Sequence, residues 1–67
     1  MIEWKRTRKN GVVEIGTKRV GASTVTWTIK KSGGGLSYQL FLGEPTDTPM
    51  FTRATIDDCK IIAEVYL

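Results

Sequence analysis

Ser23-Thr24-Val25-Thr26-Trp27-Thr28-Ile29-Lys30-Lys31 alternates along its whole length, with Val25, Trp27 and Ile29 on one side and Thr24, Thr26, Thr28 and Lys30 on the other. A period of two is that of a strand with one face buried. Threonine, polar and β-branched, suits the solvated face of such a strand. Past Gly33-Gly34-Gly35, which reads as a flexible turn, the same alternation returns in Leu36, Tyr38, Leu40 and Leu42. The two stretches therefore predict an antiparallel hairpin.

Toward the N-terminus, Ile2 and Trp4 share one side and Glu3 and Lys5 the other, and Asn10-Gly11 is a dipeptide that tolerates the positive φ angles of a two-residue turn. A first hairpin over residues 2–20 follows, with Gly16 and Gly21 bending or ending its second strand. Toward the C-terminus, Gly43 to Pro49 has the proline, glycine and acidic composition of a loop, and Met50 to Thr52 reads as a short edge strand. Thr55 is placed to cap a helix whose first turn holds Asp57 and Asp58, and Ile56, Cys59, Ile62, Ala63 and Tyr66 form its apolar stripe. The expected fold is α+β: one domain over residues 1–67, with a four- to five-stranded antiparallel sheet and one C-terminal helix packed on one face.

At 67 residues there is room for a single core, and 40% apolar with 25% charged residues is the balance of a folded chain. Cys59 is the lone cysteine, so an intrachain disulfide framework is excluded and a reducing, cytoplasmic setting is expected. The start of the chain carries charge where a signal peptide needs apolar residues, and no run has the length of a membrane span. With no histidine and one cysteine, the usual zinc sites and the usual general base are missing, so neither metal nor cofactor is expected and the chain reads as a non-enzyme.

Charge is unevenly distributed. Residues 1–31 hold eight basic side chains, Lys5, Arg6, Arg8, Lys9, Lys18, Arg19, Lys30 and Lys31, against Glu3 and Glu14. The rest holds Arg53 and Lys60 against Glu44, Asp47, Asp57, Asp58 and Glu64. If the first hairpin gathers Lys5, Arg6, Arg8 and Lys9 close to Lys18 and Arg19, with Lys30 and Lys31 at the end of another strand, the basic concentration suits a phosphate backbone. The competing reading is a solvated face that keeps a small protein in solution.

Trp4, Trp27 and Tyr38 are in phase with Ile2, Ile29 and Leu40 and read as core. Phe41 lies on the other face, either as an exposed contact ring or in a second small cluster with Met50 or Phe51 under the loop. Ile61 and Val65 point away from the helix stripe and mark a partner or homodimer surface, unless the helix sits deeper than its stripe suggests or its last turn frays. Asp57-Asp58 diverge by about 100° on a helix and serve capping better than acid–base chemistry. The glycine run lacks the Lys-Ser/Thr of a phosphate-binding loop, and Cys59 falls in the buried stripe as a small apolar group.

From Trp27 onward, the two strands followed by Met50-Phe51-Thr52-Arg53-Ala54-Thr55-Ile56-Asp57-Asp58-Cys59-Lys60-Ile61-Ile62-Ala63-Glu64 resemble, over residues 23–67, short phage and prophage proteins that end in an aromatic, a Thr/Ser cap, two acids and a helix. Such proteins include DNA-binding accessory factors and inhibitors of host defence systems. The strand–strand–strand–helix order is also similar to the DNA-binding domains at the N-termini of phage integrases and in AP2-type factors. That likeness implicates the open sheet face, Thr24, Thr26, Thr28, Lys30, Ser37 and Gln39. The face departs from those domains in being rich in threonine, with only Gln39 and Lys30 suited to base edges. The expected function is binding of nucleic acid, DNA or RNA, through the eight N-terminal cations of a phage-type accessory protein. The alternative is a protein-binding inhibitor or adaptor that occupies a host protein complex through the basic end or through Phe41, Ile61 and Val65.

Overall fold

Val25, Trp27 and Ile29 anchor one face of a five-stranded sheet in the computed structural model of the chain, which describes residues 2–7, 11–32, 36–45 and 48–66. The elements are β1 (Glu3–Arg6), β2 (Val12–Val20), β3 (Ser23–Lys31), β4 (Tyr38–Leu42), β5 (Phe51–Arg53) and α1 (Ile56–Tyr66). Strand order follows chain order and every neighbouring pair is antiparallel, so the sheet is a meander. This is the α+β architecture that the alternation predicts. Leu36 falls outside β4 because Ser32 N–H donates to the Ser37 carbonyl at 2.9 Å and closes the turn beyond it. Gly33-Gly34-Gly35, read as that turn, lies outside the described residues.

The core forms between this face and α1. Ile2, Trp27, Ile29, Leu40, Cys59 and Ala63 are buried, with Trp4, Val25, Tyr38, Phe51, Ile56 and Ile62 packed against them. Each large apolar side chain taken fully out of water contributes about 1.5–3 kcal/mol. The helix starts where Thr55 Oγ1 accepts from Asp58 N–H at 3.1 Å, the cap that the Thr-x-x-Asp spacing predicts. It packs on β3, β4 and β5, and Tyr66 closes its far end with ring centres 5.6 Å from Trp27 and 6.1 Å from Phe51. No helix among the described residues is long and apolar enough to cross a membrane.

Register departs from expectation in the first hairpin. Glu3 pairs with Thr17 and Arg6 with Glu14, and Thr7 N–H donates to the Val13 carbonyl at 2.9 Å. That pairing is one residue out of register with a two-residue Asn10-Gly11 turn; Arg8, Lys9 and Asn10 lie outside the described residues. Gly11 has φ of 77°, as a glycine in such a turn allows. Short β1 thus covers only part of the nine-residue β2. On the other side β4 stops opposite Trp27. The outer part of the β2–β3 hairpin, from Lys18 to Val25, therefore projects as a two-stranded finger closed by Gly21-Ala22. Gly21 turns the chain at φ 62°, and the molecule is 38 Å along its longest axis.

Candidate nucleic-acid interface

Strand parity and register decide where each cation goes. Trp4, Gly16 and Trp27 are cross-strand partners on the helix face, so Arg6, Lys18 and Lys31, an even number of residues away along their strands, share that face. Lys5, Arg19 and Lys30 belong to the opposite face. Arg8 and Lys9 lie outside the described residues.

Along the strands the cations divide again. Lys18 and Arg19, expected beside Lys5 and Arg6, sit on the finger instead, about 20 Å from Lys30 at the strand rise of ~3.3 Å per residue. Glu3, the first residue of β1, pairs with Thr17, so Lys18 and Arg19 lie beyond the end of β1. Lys30 and Lys31, expected at the end of another strand, stand beside the first turn: Val12 pairs with Lys30, and Lys31 N–H donates to the Gly11 carbonyl at 3.1 Å. A Cβ at Gly11 would lie 3.7 Å from Lys30 Cε. Lys5, Arg6, Lys30 and Lys31 thus lie toward one end of the sheet, and Lys18 and Arg19 stand at the base of the finger, short of its Gly21-Ala22 turn.

Among the described residues no carboxylate is ion-paired with Lys5, Arg6, Lys30 or Lys31. Glu14, cross-strand neighbour of Arg6, is only 5% exposed and is held by Lys60 of the helix at 2.9 Å. Lys60 Nζ also stands 5.7 Å from the centre of the Trp4 ring. Arg19 likewise has no ion pair to a described carboxylate. Arg6 borders a recess of about 450 Å3 with Glu14, Tyr38, Thr55, Asp57 and Lys60. Glu14 and Lys60 escaped the sequence reading as a pair, although Glu14 keeps phase with Gly16 and Lys18 on the face that the helix covers.

The opposite sheet face is less open than its threonines suggest. Thr28 is buried and its Oγ1 donates to the Gly43 carbonyl at 2.7 Å, while Gly43 N–H donates to the Thr26 carbonyl at 2.7 Å. Phe41, the cross-strand partner of Thr28, is 3% exposed. It is therefore no contact ring: the chain turns at Gly43, with φ of 84°, over this part of the face, and a second small buried patch forms there. Ser37 and Gln39 are half-buried, and Thr24 and Thr26 remain exposed.

Ile61 and Val65 are exposed, at 60% and 77%. With Ile2, Trp4, Lys60 and Glu64 they line a second recess of about 500 Å3 along the β1 side of the helix. Cys59 Sγ contacts the Tyr38 carbonyl at 3.8 Å, and burial pushes its thiol pKa up, with Arg53 pulling it down and Asp58 adding to the rise. Among the described residues no three metal-ligating side chains converge. No family model, curated protein or solved structure matches this chain.

Proposed function

We propose that this chain is a small binding protein, not an enzyme, that holds nucleic acid by its phosphate backbone at the end of the sheet where Lys30 and Lys31 meet the β1–β2 turn. The observation that carries this reading is the register that brings Lys30 opposite Val12 and ties Lys31 to Gly11, next to a turn whose sequence adds Arg8 and Lys9. Lys30 and Lys31, without an ion pair to any described carboxylate, would release counterions on meeting phosphates, and that release favours binding at low salt. The covered patch around Thr28 and Phe41 leaves little flat sheet to enter a groove, which favours backbone contact over reading of base edges. Lys18 and Arg19 on the finger supply a second, separate contact point. A cytoplasmic accessory protein of phage type, as the C-terminal segment suggests, fits the same proposal.

Fluorescence anisotropy with labelled single-stranded and duplex oligonucleotides, repeated across a salt series, tests it. Binding at about 50 mM salt that weakens linearly in log–log form as salt rises is the expected result. Absence of binding at that salt, or binding insensitive to it, would overturn the proposal.

A further inference from the structure

The outer edge of β1 carries a code for its own partner. Thr7 N–H donates to Val13 of β2, so by the two-residue period Lys5 and Glu3 also turn their amides toward β2, while Trp4 and Arg6 turn theirs away. Ile2 follows the same period, and its N–H is taken by Glu64 Oε1 at 3.1 Å. No described group receives the Trp4 or Arg6 N–H. An edge with outward amides is a template for another strand, and beside it runs the apolar recess of Ile2, Trp4, Ile61 and Val65.

We infer that the strand completing this edge is β1 of a second copy, set antiparallel about a twofold axis at Trp4. In that register Trp4 exchanges backbone hydrogen bonds with the second copy's Trp4, and Arg6 N–H reaches the second copy's Ile2 carbonyl. Glu3 then stands directly across from the second copy's Lys5 on one face. On the other face Arg6 enters beside the second copy's Ile2, whose amide already lies against Glu64. Opposite charges directly across a strand pair stabilise it and like charges oppose it.

Neighbouring registers fail on the same criterion. An axis at Lys5 sets Lys5 against Lys5, one at Glu3 sets Glu3 against Glu3, and one at Arg6 sets Arg6 against Arg6. The Trp4 register alone among these is charge-complementary, and a twofold axis makes each favourable pair occur twice. The interface is small, so a reversible dimer is expected. It assigns Lys5 and Arg6 to self-association and leaves Lys30 and Lys31 to the polyanion. The inference stands apart from the nucleic-acid reading, because it is read by mass in the absence of any ligand.

Sedimentation equilibrium over a wide concentration range tests it with four forms of the full chain: wild type, Glu3→Lys, Lys5→Glu and the double swap Glu3→Lys/Lys5→Glu. Both positions are exposed, and circular dichroism checks that each form is folded. Wild type and the double swap should dimerise, each single variant should stay monomeric, and an equimolar mixture of the two single variants should dimerise again. A wild-type chain that remains a monomer overturns the inference, including the case in which that monomer captures a foreign peptide strand. A dimer indifferent to the single substitutions, or single variants that do not rescue one another, overturns it too.

Discussion

Lys60 Nζ stands 2.9 Å from Glu14 Oε1 and 5.7 Å from the centre of the Trp4 ring, so one helix side chain ties α1 to both β1 and β2. The Glu14 side chain is 7% exposed and that of Lys60 30%. Removing the cation leaves a nearly buried carboxylate without its partner, which costs several kcal/mol for a fully buried pair and less where solvent reaches one member. Lys60→Met is expected to lower stability by about 2 kcal/mol in urea unfolding. Glu14→Gln combined with Lys60→Met should recover a large part of that loss. A cycle in which the two losses simply add would show that the pair is not coupled.

Gly16 tests how β1 is held. A Cβ built at Gly16 would lie 2.7 Å from Ile2 Cγ2 and from two ring carbons of Trp4, closer than real Cβ atoms approach. Neither neighbour is a flexible chain end, so the strand or the ring must move. Gly16→Ala is expected to cost about 1–3 kcal/mol and to shift Trp4 fluorescence. Gly21→Ala meets open space but keeps φ of 62°, a strain of about 1 kcal/mol. Only the first substitution should alter the tryptophan signal.

The contrast between these glycines shows what local pattern conveys. Period-two alternation announced β3 and β4 because each strand buries one face against a helix, and the Thr55 cap was visible because capping is a contact three residues apart. The register of the first hairpin, one residue from that of a two-residue Asn10-Gly11 turn, was not visible, because it depends on which residues of β2 a four-residue β1 selects. That selection is made by the fit of Ile2 and Trp4 over Gly16, a contact between strands. The sequence leaves Phe41 open between a contact ring and a small buried cluster for a related reason: its burial goes with a turn at Gly43 that accepts a hydroxyl bond from Thr28, fifteen residues earlier in the chain. Exposure of Ile61 and Val65 followed directly from helix periodicity.

Cys59 supplies a pH dependence with a definite sign. Burial raises its thiol pKa above the ordinary value of 9.0, so the folded chain holds the proton more tightly than the unfolded one. The stability this contributes is present in full below pH 9.0 and is lost as pH rises through the folded-state value. Wild type should therefore lose stability as pH rises above 9.0 more steeply than Cys59→Ala, which lacks the group. Paired urea titrations measure the difference; equal slopes would remove the burial effect. The native thiol should also react far more slowly with a disulfide reagent than the unfolded chain does.

Separation of the two basic groups makes ligand length a variable. Lys30 and Lys31 stand about 20 Å from Lys18 and Arg19, a span of roughly six base pairs at ~3.4 Å each. A shorter ligand can engage one group at a time, whereas a duplex of about twenty base pairs can reach both. Lys30→Ala/Lys31→Ala should reduce the log–log salt slope by about two with the long duplex, since each lost phosphate contact removes ~0.9. Lys18→Ala/Arg19→Ala should reduce that slope with the long duplex but leave it nearly unchanged with a ligand of about four nucleotides bound at the Lys30 end. Equal losses from both variants on the short ligand would mean that the cations act as one diffuse field and that the register of β1 has no bearing on binding.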